Sequence, residues 1–399
     1  MATTRKKKKP TVCLVLQGGG ALGAYHIGAY QALTEAGYTP DWFAGISIGA
    51  LNAAILAGNT PEKRLGQLEA FWERISRPGT DIDIPPFFAQ AFNSVSAQQA
   101  LMFGQPDFFT PRPVNPWLAP AGEGATSFYD TTPLFSTLSD LADFDMISKG
   151  AARLTVGATR VTDGELVFFD SKTDTIEPAH AVASGSLPPG FPATKIGEDH
   201  YWDGGVVSNT PLNGILDLAD DEELLIFMVD LWNANGELPQ TMSEVLWREK
   251  EIQYASRSCE HIEALVAKRN LDQILATSPE IIASQQVPDK TSLSVGKKID
   301  IVHITFDPLQ GHIPLSDAEF SRRSIRLRRD SGYADMKQAI EESPWTQDNE
   351  GLPAHFYRRH RDGSWLEKKP QTKLQTKPQN KSQDKSQDKS QDKALDEAS

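Results

Sequence analysis

The amino-acid sequence predicts a three-layer α/β/α fold with a mostly parallel central sheet and a helical C-terminal extension. Three observations carry that prediction. The apolar run Thr11 to Leu16 ends in Gly18-Gly19-Gly20 and leads into a helical pattern. A second apolar run, Trp42 to Ile46, ends in Gly45-Ile46-Ser47-Ile48-Gly49 and again leads into a helix. Strand followed by helix, repeated, is the order that parallel strands joined by crossovers require, and 399 residues can bury a large core around such a sheet.

The chain opens with Arg5 and the run Lys6 to Lys9, and residues 1–10 are expected to be a disordered basic segment. Val12 to Leu16 is too short for the apolar stretch of a secretory signal and reads as the first strand. Ala21 to Ala36 is helical and stops at Gly37; from Ile48, Ala50, Ala53, Ala54 and Ala57 give a buried helix with a small-residue face that Gly58 can end. Thr60 to Ser76 carries the stripe Leu65, Leu68, Phe71, Trp72 and Ile75. Between Ile84 and Gly122 only Asp107 and Arg112 are charged, against seven large aromatics and recurrent prolines. Such a stretch, residues 84–122, reads as a long aromatic loop serving as a lid or a packed flap. Leu134 to Phe144 is a helix, and Arg153 to Thr159 pairs with Glu165 to Asp170 across Thr162-Asp163-Gly164. Ala181 to Ala193 is a small-residue helix running into a proline-rich loop, followed by Tyr201-Trp202-Asp203-Gly204-Gly205. These elements place one domain over residues 11–235.

An extension over 236–345 is expected to be mainly helical. Met242 to Ile274 forms two helices, Ile299 to Phe306 a strand, and Ser316 to Ile340 a helix seeded by Leu315-Ser316-Asp317 and bearing Arg322, Arg323, Arg326, Arg328 and Arg329. Residues 346–399 read as a linker and a disordered tail, in which Ser-Gln-Asp-Lys occurs three times.

The formal charge of −13 understates the acidity of the folded body, because the basic N-terminus offsets part of it. Such a body has no basic face for phosphate, so nucleic acid is excluded as a partner. Cys13 and Cys259 are the only cysteines, without metal-ligand spacing, which fits a reducing, cytoplasmic compartment and implies neither metal nor cofactor. No apolar run is long enough to span a bilayer, so membrane contact would be peripheral. The sequence leaves the oligomeric state open.

Two chemistries compete for the glycine turn. Gly18-Gly19-Gly20-Ala21-Leu22-Gly23 satisfies a dinucleotide fingerprint, with Asp41 near the distance of a ribose-binding acid. Yet Asp41 precedes its strand instead of ending it. In the other reading Ser47 is a nucleophile on a sharp strand-to-helix turn, with Gly45 and Gly49 allowing strand and helix to cross closely, and backbone N–H groups of Gly18, Gly19 and Gly20 form an oxyanion hole. A histidine base is hard to supply. His303 or His312 would have to close a triad, whereas Asp203, followed by Gly204 and Gly205, completes a dyad if burial raises its pKa toward neutrality.

Together these pieces resemble the patatin-like phospholipase family, through G-G-G-A-L-G at 18–23, G-I-S-I-G at 45–49 and D-G-G at 203–205. Ser184 to Ala193 and Asn209-Thr210-Pro211 also look like family features, and the resemblance covers roughly residues 11–232. It implies a Ser47–Asp203 dyad, an oxyanion hole on Gly18 to Gly20, and metal-free acyl hydrolysis of a lipid or other acyl ester. Gly23, Gly45, Gly49, Gly204 and Gly205 support the motifs. One departure is Leu22, where many members carry a basic residue. The remaining alternatives are a nucleotide-binding module and an inactive lipid-binding scaffold.

Overall fold

Continuous apolar runs build the middle of the sheet, because strands covered on both faces have no reason to alternate. The computed structural model describes residues 9–219, 222–255, 262–264, 266–271, 297–307, 313–346, 353–359 and 364–367. The strands are β1 (Thr11–Leu16), β2 (Trp42–Gly45), β3 (Thr110–Pro111), β4 (Tyr129–Asp130), β5 (Arg153–Arg160), β6 (Leu166–Asp170), β7 (Thr194–Ile196), β8 (Asp199–Asp203), β9 (Leu224–Asp230), β10 (Ile299–Thr305), β11 (Ala354–Arg359) and β12 (Trp365–Glu367). Ten of them form one sheet in the order β12-β11-β10-β9-β1-β2-β5-β8-β7, with β6 pairing β5 off that path; β3 and β4 pair separately. From β11 through β5 every pairing is parallel.

Alternate residues of each central strand enter different cores. Leu14, Leu16, Phe43, Phe227 and Val229 pack on one face. Cys13, Val15, Trp42, Ala44, Ile226 and Met228 pack on the other. The first face is covered by α1 (Tyr25–Glu35), α2 (Ile48–Ala57), α3 (Pro61–Arg74), α5 (Thr132–Leu141) and a long C-terminal helix; the second includes Leu212 and Ile215 of Leu212–Leu218 together with Ile262. The result is the expected three-layer architecture.

Three expectations change. The aromatic stretch is not a loop throughout, since Pro86–Phe103 is an 18-residue helix, α4. Its prolines fall at 85 and 86, where a first helical turn accepts them, and none recurs before Pro106. The C-terminal region carries helices, α9 (Met242–Ala255) and α10 (Arg322–Glu342), α6 to α8 being Phe144–Ser148, Pro178–Ser184 and Leu212–Leu218. It also adds β10, β11 and β12 to the central sheet, and the last two lie in the stretch expected to be a linker. Ala354, Phe356 and Tyr357 are buried there, so packing against β10 stabilises a strand with little local signal. Finally α10 starts at Arg322, capped by the Ser321 hydroxyl accepting from the Ser324 N–H, and Ser316–Ala318 is a separate 3-10 turn. Residues up to Glu367 form one unit. Residues 1–8 of the disordered segment expected at 1–10, residues 368–399 of the linker and tail expected at 346–399, and part of the second helix of 242–274 lie outside the described residues.

Helix α10 crosses α1 at backbone contact. A side chain on Gly28 would meet the Arg329 carbonyl oxygen at 1.8 Å, and one on Gly332 would meet that of Tyr25 at 2.1 Å. That crossing brings the C-terminal region against the helix that follows the glycine turn.

Candidate active site

The register of β5 assembles the site. Its residues 153–156 pair with β2, so Gly45 lies opposite Val156, and its residues 158–160 pair with β8, so Asp203 lies opposite Ala158. Strand β6 occupies the other edge over 155–159. Strands β2 and β8 therefore meet end to end along one edge of β5, and the residue that ends β8 faces the turn that ends β2.

Ser47 sits in that turn with φ 57° and ψ −129°, a positive φ that a side chain adopts only under strain. The strain is held from several sides. Its N–H donates to the carbonyl oxygen and to the hydroxyl of Ser184, at 3.1 and 3.0 Å, and the Ser184 hydroxyl donates in turn to the Gly157 carbonyl at 2.6 Å. Gly49 permits the crossing, since a Cβ there would stand 2.1 Å from the Leu16 carbonyl oxygen. Gly45 abuts Gly49, Gly23 abuts Ile48 and Trp72, and Gly204 abuts the Gly157 carbonyl, so these motif glycines pack the site without entering it.

Asp203 is buried, 1% exposed. Burial pushes its pKa up to about 7, against the opposing hydrogen bonds donated by the Ser47 hydroxyl and the Gly205 N–H, the latter at 2.7 Å. A carboxyl poised near neutrality beside a serine hydroxyl is matched to proton transfer in both directions. Among the described residues no histidine lines this cavity. His303 pairs instead with Asp230 at 2.9 Å on β9, and His312 lies outside the described residues. Asp41 precedes β2 and so stands at the opposite end of the sheet from the glycine turn, which leaves the ribose-binding role without geometry.

The glycine turn is fixed by residues the motifs do not contain. The Gly18 carbonyl accepts from Asn209 Nδ2 and Trp232 Nε1, both at 2.9 Å. Because a trans peptide points its N–H opposite its C=O, the Gly19 N–H is turned away from those donors; the N–H groups of Gly19 and Gly20 have no acceptor among the described residues. Gly18 departs from the expectation, as its N–H is engaged by the Asn209 carbonyl at 3.3 Å. Its contribution is space, since a Cβ there would lie 2.8 Å from that of Ser47. Gln17, fully buried, accepts from the Leu231 and Trp232 N–H groups and donates to Thr210, tying both flanking loops to β1.

The C-terminal region closes the turn from behind. Gly20 has φ 54°, and a Cβ there would meet the Asp317 carbonyl oxygen at 2.2 Å. Arg328 of α10 donates to the carbonyls of Ala21, Glu319 and Ser316, each at 2.9 Å. Leu22 is buried in the core, yet a cation stands behind the turn in Arg328. Three other arginines of α10 make ion pairs nearer the surface: Arg322 with Glu73, Arg326 with Asp81 and Asp83, and Arg329 with Glu69.

A partly open cavity of about 270 Å³ runs from Ser47, Asp203 and the glycine turn to a wall of Phe108, Phe109, Tyr129, Phe191 and Phe320. Two parts of the chain match known sequence families. A model described as patatin-like phospholipase matches residues 14–216, just over half of the chain. The chain belongs to the patatin-like phospholipase family. A second model, described as a patatin phospholipase, matches residues 252–351, so the family likeness extends into the part that closes the glycine turn. Mouse patatin-like phospholipase domain-containing protein 6 is 38% identical over 90 residues, 21% of this chain and 7% of that protein. An uncharacterized NTE family protein of Mycobacterium tuberculosis is 46% identical over 56 residues, 14% of this chain and 10% of that protein. The matches thus span a small fraction of those relatives. Among solved structures, human GIVD cytosolic phospholipase A2 aligns with a TM-score of 0.41 at 12% identity, over 84% of this chain and 59% of that one.

Proposed function

We propose that this patatin-like protein is a lipid acyl hydrolase that cleaves carboxylic esters through an acyl-enzyme intermediate on Ser47. The observation that carries the reading is the strained Ser47 hydrogen-bonded to a buried carboxyl raised to about pH 7, at the head of an aromatic cavity. Asp203 takes the hydroxyl proton as Ser47 Oγ attacks the ester carbonyl. The Gly19 and Gly20 N–H groups hold the oxyanion, where one well-placed donor is typically worth about 3 kcal/mol. Asp203 then returns the proton to the departing alcohol, takes one from water as its oxygen attacks the acyl carbon, and passes that proton to Ser47 Oγ as the Oγ–acyl bond breaks, which releases the acid and regenerates both residues. The aromatic wall accepts an acyl chain, which favours lipid esters over polar ones.

Labelling with a fluorophosphonate probe tests the nucleophile. Wild type is expected to react and Ser47→Ala to be silent; equal labelling of both overturns the assignment, and an unreactive folded wild type favours the inactive scaffold. The pH dependence tests the base, because only ionised Asp203 can accept the proton. kcat/KM is expected to climb with pH and level off above about 7. Acyl-chain release across a panel of phospholipids, lysophospholipids, glycerides and thioesters then defines the substrate.

A further inference from the structure

Helix α4 is amphipathic in the wrong sense for a helix packed on a core. Its buried residues are Ala89, Asn93, Ser96, Ala97 and Ala100, small or polar, whereas Phe87, Phe88, Val95, Met102 and Phe103 are exposed. Phe88, Val95 and Met102 recur every seven residues, which places them on one stripe of the helix, and they are 57%, 55% and 67% exposed. Phe87 and Phe103, on the first and last turns of the helix, are also exposed, and in segment 113–118 Trp117 and Leu118 are 85% and 82% exposed. Large apolar side chains exposed in this number mark a contact site.

What covers it follows from charge and from position. No residue of 86–103 is charged, in a chain whose net charge is −13. A strongly anionic surface would be met by basic side chains, and this helix offers none. The same helix reaches the reaction site, because Leu101 lines the catalytic cavity and its carbonyl accepts the Tyr129 hydroxyl at 2.8 Å. Tyr254 of α9 lines the same cavity, and Met242, Val245, Leu246 and Ile252 of that helix are exposed, although α9, unlike α4, also carries charged residues.

We infer that α4, with Trp117 and Leu118, is the face by which the protein seats itself on an electrically neutral lipid layer, so that the cavity opens toward the acyl chains. The choice of occupant rests on the hydrolase reading. Apolar burial alone drives the contact, unlike the basic amphipathic helices that bind through charge as well. It is therefore insensitive to salt.

Co-sedimentation with phosphatidylcholine vesicles tests the docking face, using the full chain and the triple variant Phe88→Gln, Val95→Gln, Met102→Gln. None of the three residues lines the cavity, so turnover of a soluble short-chain ester and the melting temperature are measured in parallel as controls. Wild type is expected to partition onto the vesicles equally at low and high salt, and the variant about ten-fold less, with ester turnover within about two-fold. Equal partitioning of the two proteins overturns the inference. So does a wild type that turns over the soluble ester without binding vesicles, or binding that needs anionic lipid and vanishes in high salt, as the basic N-terminus would give. A wild-type dimer that only the triple variant dissociates, with vesicle binding unchanged, assigns the stripe to a second copy instead. Vesicle binding that depends on the stripe, in a protein that hydrolyses no ester, upholds the docking face and defeats the hydrolase reading alone.

Discussion

The catalytic cavity has two kinds of wall. One is built from the turns after β1 and β2 and the end of β8, where Ser47, the glycines and Asp203 follow directly from strands that the sheet fixes side by side. The other comes from 316–320 and α10, where Asp317 and Arg328 reach the same glycine turn from some three hundred residues away in sequence. The first wall holds the groups proposed to react; the second packs against the first. Short motifs encode chemistry, and long-range packing encodes the precision with which that chemistry is presented.

Substitutions in the two walls should separate these roles, beginning with the largest effect. Asp203→Asn keeps the shape and removes the base, so turnover should fall by about 10³-fold, at the middle of the range for a general base, and the rise of kcat/KM toward pH 7 should disappear. A smaller loss would mean that another group or water takes the proton. The same variant should gain stability where wild type loses it. Asp203 is raised from an ordinary 3.8 to about 7, so the folded state holds the proton more tightly and the unfolded state loses it first. Its stabilising contribution is complete below about pH 4 and is lost as pH rises through 7, a difference of roughly 4 kcal/mol at most. Melting temperatures of Asp203→Asn relative to wild type should therefore climb between pH 4 and pH 7 and then level, and a flat difference would contradict the raised pKa.

Arg328→Met attacks the other wall. Three carbonyls lose their donor and Glu319, fully buried 3.9 Å from the guanidinium, loses its cation. A stability loss of about 3 kcal/mol is expected in denaturant titration, as for other broken buried pairs, with ester turnover reduced because the glycine turn is no longer held. Turnover unchanged in the folded variant would reduce Arg328 to a scaffold role. Arg326→Ala, on the same helix but half-exposed and paired with Asp81 and Asp83 at the surface, should change stability by less than about 1 kcal/mol.

The same division explains what could be read in the sequence. Strand β1, the β2 turn, the β5–β6 hairpin and strand β10 were legible because their apolar runs and turn residues are local. Helix α4 was obscured by its own composition: aromatics and flanking prolines look like a loop, and its buried face is made of small or polar residues, Ala89, Asn93, Ser96, Ala97 and Ala100, instead of an apolar stripe. Strands β11 and β12 owe their existence to pairing across the sheet edge, which no window of the sequence contains. Arg328 was indistinguishable from its neighbours, since burial alone separates it from Arg326. Asn209 stood in a recognisable run, but its hydrogen bond to Gly18 depends on a loop brought in from elsewhere.

The end-to-end meeting of β2 and β8 along β5 has a bearing on when the chain becomes active. On the proposed reading, Ser47 sits on a turn that Ser184 and Gly157 must hold, and its proton acceptor is in place only when β8 is docked on the remaining length of β5. A one-residue slip of β8 along β5 would turn Asp203 to the opposite face of the sheet and leave the serine without that acceptor in a molecule otherwise fully folded.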